Sequence, residues 1–430
     1  MNNLNVLIIG GGGREHALAW AISRSEHLGN LYIAPGNAGT LLIAESLDLD
    51  VSDHQSVINS VAEHSVDLVV IGPEQPLVAG LADDLRAAGC AVFGPDKAAA
   101  QLEGSKAFAK SVMKAAGVPT AAWRDFGKDE LEEARTYALD QQLPVVVKAD
   151  GLASGKGVVI CRSEDEVHAI FDQILNEGAF GDAASRVVVE EFMEGEEASV
   201  FAVTDGEHVK LFPPVQDHKQ IGEGGTGPNT GGMGAYLPAP VVSDEMLEEI
   251  EESIIRPVLA EMKSRGISYT GVLYTGLMIT KDGPKVVEFN CRFGDPECQV
   301  LMPATFEDVL TLCYQAATGD LEDGRLACSD LHFCGVIMAS AGYPGSYEKG
   351  KVITGTEQMD KDILVYHSGT SSENGRLVTA GGRVLCVVGR GATLDKAIQR
   401  AYSGVKNIDF EGAYFRSDIG RKGLMRELNA

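Results

Sequence analysis

The stretch Val287-Glu288-Phe289-Asn290-Cys291-Arg292 alternates with a period of two, so Glu288, Asn290 and Arg292 share one face of an expected strand. Two oxygen donors on one face, completed by phosphate oxygens and water, suit a hard octahedral cation such as Mg²⁺. Arg292 on the same face can hold a carboxylate or a transferring phosphoryl group. A second set lies at Lys148-Ala-Asp-Gly151-Leu-Ala-Ser154-Gly155-Lys156-Gly157. It falls between two expected strands, and Gly157 rather than Ser or Thr follows Lys156, so it is a glycine-rich turn and not a Walker A loop. Small residues there let backbone N–H groups close over phosphate oxygens, and Lys148 at the strand end reaches them as a point charge. A third set, Gln216-Asp217-His218-Lys219, offers an acceptor for an ammonium group and a cation for an anion. A lone histidine such as His218 is as a rule structural. The loop Asn229-Thr230-Gly231-Gly232-Met233-Gly234 follows, a cover with backbone donors for a reacting centre.

Two further patterns concern ligands. Gly10-Gly11-Gly12-Gly13 stands after a first strand and opens a helix, a place where a phosphate meets free N–H groups. The dinucleotide fingerprint fails, because Glu15 or His16 falls where its last glycine belongs, and no acidic residue ends the second strand. A phosphorylated sugar is therefore favoured over a nicotinamide dinucleotide. The acidic end of the strand before Glu190-Glu191-Phe192, with Glu197 beyond, can present an adenine edge with backbone groups and a ribose with carboxylates. Taken alone that signal is weak.

These groups need a scaffold. The chain has 430 residues, 36 Lys+Arg against 62 Asp+Glu, and a net charge of −26. Apolar content of 44% and charged content of 23% exclude wholesale disorder. An acidic chain without a basic block is a poor nucleic-acid binder and is repelled by anionic lipid. The N-terminus lacks a basic segment followed by an apolar core, and no apolar run reaches membrane length, so a cytoplasmic protein is expected. The eight cysteines form no Cys-x-x-Cys pair and are expected to be reduced and mostly buried.

Strands at 4–9, 31–34, 67–71 and 91–93 alternate with helices at 14–23 and 77–88, the pattern of a doubly wound parallel sheet. A helix over 97–116 leaves it and stops at Gly117-Val118-Pro119. Strands at 144–149, 157–161 and 187–192 with a helix at 163–177 form a small lid. Strands at 197–204, 208–212, 271–280 and 284–290 follow, the last two a hairpin. Seven glycines within 222–236 exclude a regular element there, and 243–264 reads as one amphipathic helix with a solvated acidic face. From about 330 the composition turns β-rich.

The motifs GGGGREHALAW, PGNAGT, GPEQPLVAG, KADGLASGKGV, EEFMEGEEAS, QDHK, GPNTGGMGAY and EFNCRFGDPE, in this order along nearly the whole chain, resemble the ATP-grasp superfamily, and within it the phosphoribosylamine–glycine ligases of purine synthesis. The resemblance implies an α/β and α+β multidomain fold: an N-terminal doubly wound sheet (1–103), a connecting helix (104–125), an ATP-grasp lid (126–195), a central ATP-grasp domain (196–329) and a C-terminal β-rich domain (330–430). It implies that ATP phosphorylates glycine and that 5-phosphoribosylamine takes the glycyl group, releasing ADP and phosphate, with Mg²⁺ or Mn²⁺. It assigns Glu288 and Asn290 to the metal. Lys106, Lys148, Ser154, Gly155, Gly157, Glu190, Phe192 and Glu197 go to ATP. Asp217, Lys219, Arg292 and Gly234 go to catalysis, and Asp217, Asn229, Thr230 and Gly231 to glycine. Gly12, Gly13, Asn37, Glu74 and Asp295 go to phosphoribosylamine. A monomer or weak homodimer is expected. Another ATP-grasp ligase or carboxylase would share the Glu288/Asn290 pair without GPNTGGMGAY and QDHK together, and a non-catalytic nucleotide or sugar-phosphate binder would need neither the metal pair nor both lysines.

Overall fold

The first strand, Leu4–Gly10, is apolar and buried apart from Asn5 because it is covered on both faces. It is the centre of a five-stranded parallel sheet in the order Glu45–Ser46, Leu28–Pro35, Leu4–Gly10, Leu68–Ile71, Ala91–Phe93. The order reverses at the first strand, which opens a crevice at its carboxyl end, where Gly10, Gly36 and Gly72 meet. The protein is described here by a computed structural model covering residues 3–151, 157–176, 186–357 and 359–429.

Two helices expected to be continuous are interrupted. The 77–88 helix is divided into Glu74–Ala79 and Leu81–Ala87 by Gly80, whose φ of +99° lies in the left-handed region. The 97–116 helix is divided into Gln101–Gly104 and Lys106–Ala116 by Ser105, which is extended and caps the second helix by accepting from the Phe108 N–H.

A four-stranded antiparallel sheet follows, Trp123–Gly127, Arg186–Glu191, Val145–Ala149 and Val158–Cys161 in spatial order, with its own small core around Phe126, Val147, Phe171 and Val189. The next sheet runs Gly283–Asn290, Gly271–Thr280, Glu196–Thr204, Val209–Leu211, Gly324–Arg325. The expected hairpin at 271–290 is present. The register skips at Val287, and the extra residue of this bulge leaves its carbonyl free of the ladder.

Two further expectations change. The glycine-rich stretch holds strands at Thr226–Asn229 and Gly234–Leu237, because pairing with Gln220–Gly222 and with His332–Ser340 keeps it extended even through Gly227 and Gly234. The helix over 243–264 is continuous but widens into a π turn at Glu251–Ile255. A six-stranded sheet then ignores the boundary expected at 330. It joins Gln216–Asp217 and Gly234–Leu237 to His332–Ser340, Arg383–Gly391 and Ile363–His367, with Ala413–Tyr414 at one end, and the Leu394–Asn407 helix packs on it. All eight cysteines are free thiols, six of them buried.

Candidate active site

The cleft between the two central sheets is built around shared carboxylates. Lys148, on a strand buried at every position, donates to the bulge carbonyl of Val287 at 3.2 Å and pairs with Glu190 Oε2 at 3.0 Å. Lys110 pairs with the same oxygen at 3.1 Å and donates to Thr120 Oγ1 at 2.8 Å. Glu190 is 2% exposed, so its carboxylate orients two lysines and does not reach out toward a ribose. Burial lowers Lys110 to about 8, against the pull of Glu190. Lys106 opens the helix after Ser105. Its N–H donates to Asp150 Oδ1 at 2.5 Å and its Nζ to the Gly151 carbonyl at 2.9 Å, so the helix start is tied to the glycine-rich turn. Gly157 closes that turn by accepting from the Ala149 N–H at 2.8 Å, while Ser154 and Gly155 lie outside the described residues. Phe192 faces the Arg162 guanidinium, 5.7 Å from its ring centre.

The next group sits where three strands meet. Lys219 Nζ lies 2.8 Å from Glu197 Oε2 and 3.6 Å from Glu288 Oε1. These two carboxylates come from the strands on either side of Gly271–Thr280, Glu197 opposite Met278 and Glu288 opposite Gly276, where an added Cβ would stand 3.2 Å from Glu288 Cγ. Burial works against the Lys219 charge, but Glu197, Glu288 and Asp217 outweigh it and hold the ammonium well above its usual range. Glu288 is likewise opposed by burial, yet Lys219, Lys148, Lys106 and Arg292 keep it below the ordinary carboxylate range, hence ionised. Asp217 differs: burial raises it to about 8 in spite of Lys219. Burial also raises Glu297 beside it.

Arg292 is the third group. It donates to Glu103 Oε1 at 2.6 Å and to Asn290 Oδ1 at 3.3 Å, and lies 3.5 Å from Glu74 Oε2. Burial disfavours its charge, and Glu103 and Glu74 more than restore it. The crevice of the first sheet joins here. Asp295 pairs with Arg383 at 3.2 Å and accepts from Gln299 Nε2 at 2.7 Å. A Cβ on Gly13 would come within 2.5 Å of both Gln299 Nε2 and Ser368 Oγ, so these side chains would have to shift to admit one.

Several groups offered to ligands by the sequence are committed to the fold. The Gly12 N–H donates to Glu15 Oε2 at 2.6 Å. The Asn37 amide bonds the carbonyls of Gly11 at 2.9 Å and His367 at 2.8 Å, and accepts from Gly39 and Thr40. In the 229–234 loop the Thr230 N–H goes to the Lys219 carbonyl, Gly231 to Tyr343 Oη, Gly232 to Thr230 Oγ1 and Met233 to the His218 carbonyl. Asn229 pairs with Gln220 in a short ladder, and the Gly234 carbonyl accepts from His218. The loop therefore fixes Lys219 by its backbone; its N–H groups are not free donors to a reacting centre. Arg383 ties it further through the Gly231 carbonyl at 2.6 Å.

Sequence reasoning missed Lys110, Glu103, Arg14, Glu15 and Arg383. Only Lys110 carried a signal, four residues after Lys106 on the same helix. Glu288 and Asn290 are oxygen donors, Glu288 is ionised, and its side chain is 41% exposed to the cleft, which fits a hard divalent cation. Among the described residues no cluster of three or more His, Cys, Asp or Glu could hold a metal, so such an ion needs substrate oxygens.

Residues 4–103 match the phosphoribosylglycinamide synthetase N domain, 104–298 its ATP-grasp (A) domain and 333–422 its C domain. The chain belongs to this family. It is 49% identical over 424 residues to the phosphoribosylamine–glycine ligase of Rhizobium meliloti (strain 1021), covering 99% of this chain and 100% of that protein. To that of Vibrio parahaemolyticus it is 46% identical over 428 residues, covering 99% of each. The crystal structure of phosphoribosylamine–glycine ligase from Thermotoga maritima superposes with a TM-score of 0.85 at 33% identity, covering 96% of this chain and all of that one. A biotin carboxylase domain from Hydrogenobacter thermophilus shares the fold at a TM-score of 0.75 and 18% identity, over 96% of this chain and 92% of that one.

Proposed function

We propose that the three charged groups of this cleft carry out the ATP-dependent joining of glycine to 5-phosphoribosylamine through a glycyl phosphate, yielding glycinamide ribonucleotide, ADP and phosphate in purine synthesis. The observation that carries the reading is Lys219 held between Glu197 and Glu288 and next to half-buried Asp217, in a chain of this family. A carboxylate is a poor electrophile, and phosphorylation gives it a leaving group. Lys106 and Lys148 hold the triphosphate, and Lys219 neutralises the glycine carboxylate oxygen that receives the γ-phosphoryl group. Arg292, kept charged and fixed by Glu103 and Glu74, faces the charge that develops during transfer. Asp217 accepts from the glycine ammonium and ionises as that cation arrives. The phosphoribosylamine nitrogen then attacks the activated carbonyl, phosphate departs, and the amide forms; Gly13, Glu74 and Asp295 line the crevice from which it attacks.

Glu288 and Asn290 would hold a divalent cation, Mg²⁺ or Mn²⁺, which when bound draws phosphate oxygens together and offsets their charge. Gly157 and Phe192 border the nucleotide, with Ser154 and Gly155 in the same turn. Thr230, Gly231 and Gly234 act by fixing Lys219 and His218, and Gly12, Asn37 and Asn229 by shaping the pockets around them. The cytoplasm is the expected compartment and a monomer or weak homodimer the acting unit. ADP release measured with each substrate omitted in turn tests the reading: both glycine and phosphoribosylamine should be required, and equal turnover with bicarbonate or formate would overturn it.

A further inference from the structure

Arg383 reaches the cleft from the last part of the chain. It opens the Arg383–Gly391 strand of the six-stranded sheet, opposite Ala339, and its side chain bridges two segments of the cleft. One terminal nitrogen donates to the Gly231 carbonyl at 2.6 Å, to the Asp295 carbonyl at 2.5 Å and, more weakly, to the Gly232 carbonyl at 3.5 Å. The other pairs with the Asp295 carboxylate at 3.2 Å. Gly231 lies so close that a Cβ there would stand 2.9 Å from the guanidinium carbon. The planar, rigid fork of the guanidinium thus holds the two segments at one separation.

Each segment leads to a different subsite. On one side, the Thr230 N–H and Oγ1 both donate to the Lys219 carbonyl at 2.8 Å, and the Met233 N–H donates to the His218 carbonyl. The loop that Arg383 grips is therefore the one that fixes Lys219. On the other side, Asp295 accepts from Gln299 Nε2 at 2.7 Å at the crevice of the first sheet, and its side chain is 14% exposed, open to a ligand. Burial opposes the Asp295 charge, and Arg383, ahead of Arg14, holds its carboxyl below the ordinary carboxylate range. The Arg383 backbone adds a second link to that crevice. Its carbonyl accepts from the Gly369 N–H at 2.9 Å, and two residues earlier the His367 carbonyl accepts from the Asn37 amide at 2.8 Å.

We infer, on the assignment of Lys219 to glycine and of Asp295 to the sugar phosphate proposed above, that Arg383 is a positioning residue that couples the two subsites, so that phosphoribosylamine in the crevice and glycine at Lys219 tighten each other's binding. A hydroxyl or amine that donates to Asp295 binds best where the carboxylate is already held by Arg383 and Gln299. Lys219 is best placed for glycine in that same arrangement. Two ligands that favour one arrangement each gain from the other, and by the same factor.

Calorimetric titration of the full-length protein, with Mg²⁺ and a non-hydrolysable ATP analogue present throughout, measures that factor; ribose 5-phosphate is the stable probe for the crevice. The Kd of glycine should fall by about fivefold or more when ribose 5-phosphate is saturating, and that of ribose 5-phosphate by the same factor when glycine is. In Arg383→Met the factor should drop to near one. Arg383→Lys keeps a charge beside Asp295, but a single ammonium cannot span both segments, so the factor should drop likewise while the melting temperature stays near the parent value. A merely structural Arg383 would weaken both ligands and lower the melting temperature yet leave the factor intact. A factor near one in the parent, or one that survives in both variants, would overturn the coupling and leave the cleft assignment standing. Failure of the parent to bind either ligand would overturn both.

Discussion

Lys110, Glu190 and Lys148 form a buried triad with two positive charges on one negative, the shared oxygen lying 3.1 and 3.0 Å from the two ammonium groups. Lys110→Met is a near-isosteric way to test what the surplus charge does. Lowering of Lys110 from 10.5 to about 8 means that its charge costs the folded state about 3 kcal/mol. Between pH 8 and 10.5 the unfolded chain holds a proton that the folded one lacks, so this cost is present in full below pH 8 and is relieved as pH rises to 10.5. Replacement by an apolar side chain leaves Lys148 and Glu190 as a neutral one-to-one pair, so the uncompensated buried charge, the costly part of such a cluster, is gone. The variant should therefore be at least as stable as the parent at pH 7 in urea unfolding, and its stability should lack the rise between pH 8 and 10.5. Its KM for ATP should nonetheless climb about tenfold, roughly 1.4 kcal/mol, because the phosphates no longer meet a net positive group. An unchanged KM for ATP with a persisting alkaline rise would refute the charge accounting of this triad.

Glu288→Ala should abolish cation-dependent ADP release while circular dichroism and the melting temperature stay near the parent values, since the side chain is 41% exposed; near-parental rates would remove Glu288 from the cation site. Asp217→Asn should raise the KM for glycine by about tenfold or more, the loss of a charge-assisted hydrogen bond. In the parent that KM should fall as pH rises toward 8, where Asp217 ionises more readily, and steady-state kinetics should show this slope vanish in the variant. Gly13→Ala should destabilise the fold by about 1–3 kcal/mol in thermal unfolding, an overpacking cost, because the new methyl meets Gln299 and Ser368 at 2.5 Å.

What the sequence made readable was local. Period-two alternation placed Glu288, Asn290 and Arg292 on one face without knowledge of any partner, and the strand observed at Gly283–Asn290 keeps Glu288 and Asn290 there. The break at Ser105 was also within reach, as serine after glycine is a helix cap. What could not be read was long-range satisfaction. The Asn37 amide bonds a carbonyl 330 residues later, and Arg383 reaches the Gly231 carbonyl 152 residues earlier. A motif shows which donors exist; whether they are free depends on segments brought close only by the finished fold. The glycine-rich loop misled for the same reason, since pairing with distant segments draws even Gly227 and Gly234 into short strands.

The six-stranded sheet has a consequence for how the molecule comes into being. Its strands at Gln216–Asp217 and Gly234–Leu237 pair with each other, but they join the sheet through His332–Ser340, and Arg383 beyond that secures the turn between them. On a ribosome adding roughly 5–20 residues per second, Lys219 is made on the order of ten seconds before the His332–Ser340 strand. The nascent chain thus carries Lys106, Lys148 and Lys219 early, yet the backbone around Lys219 is fully secured only once His332–Ser340 and Arg383 have been made.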